Sequence, residues 1–500
     1  MENALHTRKL KTINCLAYGG GSFFLIVIAP IAITFTLIWV PVNFASDFAL
    51  FLYYFFAYIL FYTTTTVALV PYSALSAEMT RNFKERNKLT GFRMHFSMIA
   101  TLLSGLFAQP IIQAFGGNTT GHVKMGLCFG ILFAVPWIFV FLGTWELPVE
   151  QTKKLNQNIF ANFLSMFQNR SFRIHIAMYI CAYGAMDILM AWFKFYFLDY
   201  LNRGGYVTIG LGSLLITQIL VLPLYITIAN KKGHAVAYRT GLSIWILAMI
   251  GMVFQRPDTP VWLLIANSVA IGAGLGAGTL IPFQILPFVA DVDELMTGKK
   301  RAGIYSGAMT LLRKLIQGAL VLPVLGILLS AIGYLWPLPA AFTQEQLYND
   351  LIPRIEEQLP EERQEESIKL VMNAYGAEDG EGLNSLNGTS REEERQLRRL
   401  FDRIRYKGFG ASNESVPIEQ AGSTIGILRV LFFLTPFIFL FLGVVISLFF
   451  PINPKNHKMM LLEIQRLKEG GSPEDAGEEV REAAKKLSGK TYNRMPRFLN

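Results

Sequence analysis

Residues 281–314 read I-P-F-Q-I-L-P-F-V-A-D-V-D-E-L-M-T-G-K-K-R-A-G-I-Y-S-G-A-M-T-L-L-R-K. An apolar run meets three carboxylates (Asp291, Asp293, Glu294), crosses a Thr297-Gly298 turn, meets three cations (Lys299, Lys300, Arg301) and turns apolar again. This is the pattern of two lipid-spanning helices joined by a short, charge-dense loop. Charges are costly in hydrocarbon, so such a loop holds both helix ends at the water interface. The stretch predicts an all-α polytopic membrane protein.

Composition agrees. Of 500 residues, 52% are hydrophobic and only 16% charged, with a mean hydropathy of +0.38. Soluble domains are about 25% charged. Backbone polar groups in hydrocarbon need partners inside their own segment, which favours helices, and no train of short alternating strands suggests a barrel. Ten spans are predicted, near 23–42, 49–75, 92–112, 125–143, 174–200, 206–229, 235–254, 261–290, 303–336 and 424–450. Each is close to or above the roughly 20 residues that cross about 30 Å of hydrocarbon.

Cation bias orients the chain. The loops at 76–91, 144–173, 230–239 and 291–302 carry clusters such as Arg81, Lys84, Arg86 and Lys88, whereas the alternate short loops offer single cations. The clustered side is expected in the cytoplasm, and both termini with it. The net charge of +9 then reflects topology, and no nucleic-acid partner is expected. Cys15, Cys128 and Cys181 have no disulfide or metal spacing. Neither H-E-x-x-H nor a nucleophile–base constellation occurs, so an enzyme is disfavoured. The run Gly272-Ala273-Gly274-Leu275-Gly276-Ala277-Gly278 lies inside a span, where small residues suit close helix packing.

The predicted organisation has seven parts. A polar segment at 1–22 leads into a four-span bundle at 23–143, followed by a cytoplasmic central loop at 144–173. A second bundle occupies 174–336, an extracytoplasmic insertion 337–422, the last span 423–452 and a cytoplasmic tail 453–500. In the insertion, Leu397, Leu400, Phe401 and Ile404 recur at helical spacing. The tail is expected to form a helix around 457–468 and to be largely disordered beyond it. Four spans followed by six resemble a six-plus-six transporter without its first pair.

Four stretches resemble the glycoside–pentoside–hexuronide:cation symporters of the major facilitator superfamily, the melibiose-permease-like group. They are V-P-Y-S-A-L-S-A-E-M-T (70–80) with E-R-N-K-L-T-G-F-R-M (85–94), A-D-V-D-E-L-M-T-G-K-K-R-A-G-I-Y-S-G (290–307), R-K-L (313–315) and F-F-P-I-N-P-K-N-H-K-M-M-L-L-E-I (449–464). The resemblance implies a major-facilitator-type helical bundle. It also implies a secondary active transporter that couples a sugar, glycoside or similar polar solute to a cation, Na+ or H+, by alternating access. It places the chain as a monomer in the plasma (inner) membrane.

Two departures stand out. The first span already resembles the family's third helix, so the usual acidic cation ligands are absent and the first bundle is expected to be incomplete. Leu69 stands where the melibiose permease has a sugar-binding Asp before the fourth-helix Pro. A truncated, transport-incompetent protein and a lysolipid-type symporter therefore stay open as alternatives. By resemblance, Arg93 falls where the family places an arginine beside the substrate, and Lys314 has a substrate or coupling role with adjacent Arg313 as its competitor. Asp187 and Lys194, seven apart, share one helical face and are candidates for the same cavity. Asp291, Asp293 and Glu294, facing Lys299, Lys300 and Arg301, are expected to form a cytoplasmic gate. A solvated loop that merely anchors helix ends is the plainer alternative.

Overall fold

The computed structural model describes residues 28–42, 46–117, 119–144, 159–299, 301–318, 327, 351–375, 396–397, 399–400 and 422–492. Among these the secondary structure is helical throughout. The first half contributes α1 (Ile28–Leu37), α2 (Asp47–Glu78), α3 (Phe83–Ala114) and α4 (Thr119–Gly143). A short α5 (Ile159–Met166) and then α6 (Arg170–Phe195) follow. The second half continues with α7 (Val207–Leu220), α8 (Leu222–Lys232), α9 (His234–Val253), α10 (Val261–Thr297) and α11 (Ala302–Ile316).

Seven helical stretches are long and apolar enough to cross a membrane, counted over the described residues alone. The central loop expected at 144–173 is partly helical, because α5 and the first turn of α6 fall inside it. The span expected at 206–229 is two helices, α7 and α8, meeting at Val221 ahead of Pro223. Proline lacks the N–H that would continue the ladder.

Helix α10 is the axis of the fold. Its 37 residues extend about 55 Å at 1.5 Å per residue, well beyond the hydrocarbon thickness. Of its apolar window 78% is buried, against 6% for those of α2 and α3. The glycine run explains how neighbours come so close. A β-carbon at Gly272 would lie 2.2 Å from the Leu214 carbonyl oxygen of α7, and one at Gly274 2.5 Å from Cβ of Trp245 on α9. Backbone meets backbone along this seam, as small residues permit in membranes.

The expected loop at 291–302 is shorter in the structure. Asp291, Asp293 and Glu294 belong to the last turns of α10, which ends where Gly298 adopts a left-handed conformation (φ 70°) and returns its N–H to the Glu294 carbonyl. Only residues 298–301 connect α10 to α11. Lys300 lies outside the described residues, as do the segment 1–22 and the insertion residues Phe401 and Ile404.

The chain divides into two compact units. One comprises Met1–Phe193, Gly205–Leu325 and Phe432–Asn500, and the other Lys194–Gly204 and Gly326–Leu431. The second unit contains a π-helical turn (Tyr196–Tyr200), α12 (Ile352–Gln358) and α13 (Glu361–Tyr375). Leu351, Ile355 and Val371 are buried in it, as are Leu397 and Leu400 from the predicted amphipathic stretch. The last long helix, α14 (Gly422–Ser447), runs from this unit into the first.

The tail departs from expectation. Beyond α15 (Pro454–Lys468) it continues into α16 (Glu478–Ser488), and both helices pack on α10. Ser171 at the start of α6 donates to the Leu487 carbonyl at 2.6 Å, and Lys490 reaches Gln168 at 2.7 Å. Glu463 accepts from Arg466 (2.6 and 2.9 Å) and from the Tyr492 hydroxyl. A polar composition suggested disorder, but the apolar positions Met460, Leu461, Ile464, Leu467, Ala484 and Leu487 give the two helices a buried face.

Candidate functional site: a charged seam and a central cation cluster

The short connection between α2 and α3 builds half of the seam. Asn82 caps α3, its side chain accepting from the amides of Lys84 (3.0 Å) and Glu85 (3.2 Å). Capping of this kind fixes where a helix starts. It sets Arg86 one turn in, where the guanidinium folds back onto the carbonyls of Thr80 (2.6 Å) and Ala77 (2.9 Å). The same guanidinium pairs with Asp291 of α10 and lies 5.5 Å from the Phe288 ring centre. Asp291 also accepts from His457 Nε2 at 2.9 Å.

Glu294 receives Arg81 at 3.0 and 3.1 Å and Lys468 at 3.0 Å. Asp293 takes Arg301 at 2.5 and 2.7 Å and the Tyr305 hydroxyl at 2.9 Å. All three carboxylates are under 5% exposed. Buried charges need partners of this kind, because desolvation is otherwise uncompensated.

The expected pairing is therefore corrected in detail. Among the described loop cations Arg301 holds Asp293. Lys299 contributes a backbone N–H to Thr297 Oγ1 at 3.3 Å. The partners of Asp291 and Glu294 come from the first half, Arg86 and Arg81, and from the tail, His457 and Lys468. All four were present in the sequence: Arg86 follows Glu85 in the quoted E-R-N stretch, and His457 sits in the quoted P-K-N-H-K. What the sequence lacked was the distance across the bundle.

A neutral layer backs the ion pairs. Asn87, fully buried, donates to Asn230 Oδ1 (2.8 Å), and its own Oδ1 lies 2.7 Å from His234 Nε2. Gln284 Nε2 donates to the Asn87 carbonyl at 3.0 Å. Phe83 enters a ring cluster with Phe288 (4.7 Å), His234 (5.0 Å) and His457 (5.7 Å). Charge, amide and aromatic contacts thus join the first-half helices to α8, α9, α10 and α15 at one end of the bundle.

Burial holds the His457 imidazole below its ordinary pKa, outweighing the upward pull of its hydrogen bond to Asp291. A histidine depressed in the fold is neutral there while the unfolded chain protonates near 6.5. Its contribution to stability is present above that pH and is lost as pH falls through the folded value. The wild type should accordingly lose more thermal stability between pH 7.5 and pH 5 than His457→Gln. Detergent unfolding curves measure this, and parallel losses would remove His457 from the acid response.

Deeper in the same unit lie the candidate solute residues. Arg93 donates to Ser73 Oγ (2.9 Å), with its Cζ 4.9 Å from the Tyr72 ring centre and 5.3 Å from that of Phe283. Phe283 in turn packs edge-on against Tyr179 (5.9 Å) and Tyr183 (6.0 Å). Arg313 lies 4.3 Å over Tyr183 and 3.8 Å from Asp187. A narrow recess opens here, with about 10 Å³ of free volume, lined by Tyr179, Tyr183, Asp187, Arg313 and Gln317 among others.

Lys314, one residue on, is exposed, with its Nζ 4.9 Å from the Tyr62 ring centre. Adjacent helical residues point about 100° apart, so the structure places Arg313, and not Lys314, at Asp187. Lys194 is exposed in the last turn of α6 and is assigned to the second unit. Among the described residues no group of three or more His, Cys, Asp or Glu is arranged to hold a metal ion.

Comparison with known proteins adds what geometry alone does not. The chain is 24% identical to the uncharacterized symporter sll1374 of Synechocystis sp., with 62% of this chain and 72% of that protein covered. It is 27% identical to the uncharacterized symporter YnaJ of Bacillus subtilis, with 52% of this chain and 57% of that one aligned. It is 23% identical to the sodium-dependent lysophosphatidylcholine symporter 1 of Mus musculus, over 52% of this chain and 55% of that one. The chain thus spans little more than half the length of the last two. Among solved structures it is similar to the major facilitator transporter FucP in the outward conformation, with a TM-score of 0.45, 11% identity, and 65% of this chain and 81% of that chain covered. That likeness is too distant to bear on function. The family model for MFS/sugar transport proteins matches residues 16–351, well over half of the chain. Long apolar helices around a polar, charge-lined interior are what such a transporter needs, and the chain belongs to the MFS/sugar transport protein family, a multi-pass membrane protein of the major facilitator type.

Proposed function

We propose that the protein is a cation-coupled symporter for a small polar solute of the sugar or glycoside class, working by alternating access as a monomer in the inner membrane. Both termini face the cytoplasm, and the charged seam is the inner gate. The observation that carries this reading is the pairing of first-half cations with second-half carboxylates at one end, with a separate charged recess deeper in the bundle. Closing one end by ion pairs while a solute site lies between the halves is the arrangement alternating access requires.

The solute site is centred on Arg93, Arg313 and Asp187, with Lys314 at its edge. Asp187, beside Arg313 in the recess, is the carboxylate assigned here to a coupling cation, Na+ or H+. A lysolipid substrate is the second reading, favoured by the similarity to the mouse lysophosphatidylcholine symporter and by Leu69 in place of a sugar-binding Asp. Proteoliposomes carrying an inward Na+ or proton gradient test both. Accumulation of a radiolabelled monosaccharide or glycoside that collapses with the gradient is expected. Gradient-driven uptake of lysophosphatidylcholine alone would favour the second reading, and no accumulation of either solute under either gradient would sink the proposal.

A further inference from the structure

We infer that the C-terminal tail is a proton-operated latch on the charged seam, in which His457 stays with Asp291 when Arg86 withdraws and takes up a proton in its place. This rests on the reading of the seam as an inner gate and names its regulation. The argument begins with the origin of each cation. Arg81 and Arg86 stand at the connection between α2 and α3, in the first half. Each α10 carboxylate also has a partner from beyond α10: Asp293 has Arg301, Glu294 has Lys468 and Asp291 has His457. Arg301 precedes α11, and Lys468 and His457 belong to α15.

The tail is fastened to second-half helices. Asn453 caps α15, accepting from the Asn456 amide at 2.8 Å, and its carbonyl takes the His457 N–H at 3.0 Å. Pro454 lies against Gly233, where α8 passes into α9; a β-carbon on that glycine would be 3.6 Å from the proline Cδ. At the far end, Gly489 (φ 80°) turns so close to Arg170 of α6 that a β-carbon there would lie 2.9 Å from the arginine Cβ. With the Ser171 and Gln168 bonds and the buried face on α10, these contacts carry the tail along with α6 and α10 when the first-half cations leave.

Withdrawal of Arg81 leaves Glu294 with the Lys468 ammonium, and Asp293 keeps Arg301. Asp291 alone is left with a neutral ring, and a buried carboxylate without a cation is uncompensated. Arg86 and His457 share one oxygen of Asp291, Oδ2, so the ring already stands where the replacement charge is needed. The other groups facing His457 are Arg81 across the seam and His234 at the start of α9, whose ring shares Phe83 and Phe288 with it. In the closed seam burial above all, with the two guanidiniums adding to it, holds the imidazole below its ordinary pKa against the pull of Asp291. Opening admits water and removes both guanidiniums, while Asp291 stays. The ring then keeps its Nε2–H bond to Asp291 and takes a proton from the cytoplasm at Nδ1. The state that binds more protons gains as pH falls. Acidity on this side therefore favours opening, by up to about tenfold in the open-to-closed ratio per pH unit between the two pKa values of His457.

The test needs no solute. Ser306, buried on α11, donates to the Val70 carbonyl of α2 at 3.2 Å, so a thiol at this position reports separation of the halves. Ser306→Cys is made in the full-length chain with Cys15, Cys128 and Cys181 replaced by Ala. Its alkylation rate by a charged maleimide in detergent is measured from pH 8 to pH 6. Division by the rate at Lys231→Cys, an exposed position, cancels thiol ionisation. The ratio should rise severalfold as pH falls. His457→Gln should hold it flat at the pH 8 level, whereas loss of a merely structural histidine would raise it at every pH and leave the slope. Lys468→Gln should lower the ratio and keep the slope, because it removes a cation of the open state and not the titrating ring. Cys181 kept as the sole thiol, buried in α6, should stay unlabelled throughout. A flat wild-type ratio, an unchanged slope in His457→Gln, or parallel labelling of Cys181 overturns the inference. A pH-linked ratio in a chain that accumulates no solute keeps the latch and discards the symporter. Gradient-driven uptake by a chain with a flat ratio does the reverse.

Discussion

Arg86→Ala is expected to cost about 3–5 kcal/mol, the penalty for leaving a buried charge without its partner. Arg86 is 1% exposed and Asp291 4%. Removing the guanidinium leaves Asp291 with His457 alone and strips donors from the Thr80 and Ala77 carbonyls that end α2. Asp291→Ala should cost a similar amount from the other side. The double variant Arg86→Met/Asp291→Leu should recover much of the loss, because a well-packed apolar pair is often as stable as a buried ion pair. Thermal unfolding of the four chains in detergent gives the coupling directly. Additive losses would mean that the two residues act independently and that the seam is not held by this pair. If the seam is the proposed inner gate, the single variants should also lower gradient-driven accumulation while the protein still inserts.

Arg313→Gln should lower uptake by about 10- to 100-fold, the equivalent of one charge-assisted hydrogen bond of about 1.5–3 kcal/mol. The side chain stacks on Tyr183, faces Asp187 and lines the recess. Arg313→Lys should restore little, since a point charge on a flexible stem neither stacks nor forks. Lys314→Gln should have the smaller effect, because Lys314 is exposed beside Tyr62. Uptake normalised to membrane-inserted protein decides between them. Wild-type rates in Arg313→Gln with a collapse in Lys314→Gln would reverse the assignment and return the role to the residue the family resemblance first suggested.

Much of the architecture was legible in the residues themselves. Apolar length marked the long helices, and the D-V-D-E…K-K-R stretch located the charged end of α10. Small residues at 272–278 announced a close seam, and α7 and α9 supply its other side. These are local properties, carried by a few consecutive turns and constrained by the cost of exposing backbone or charge to hydrocarbon.

The candidate site was legible only in part. Arg93, Asp187 and Arg313 were named as types at suitable depth, but a one-residue choice between Arg313 and Lys314 needs helix rotation, which no resemblance fixes. The tail was misjudged because its helices are polar when taken alone, and their apolar faces acquire meaning only against Leu295 and its neighbours on α10.

The sequence by itself determined that the chain is a helical membrane protein with a charged hinge between two long helices, since solvation energy acts on each segment separately. Tertiary structure alone decided which charges meet. Asp291 could pair with a cation eight or ten residues away, yet it takes Arg86 and His457, 205 and 166 positions distant. The α10 carboxylates are helical and project from a rigid rod, so their partners are whichever helix ends the packing brings to that rod, and packing is a property of the whole bundle.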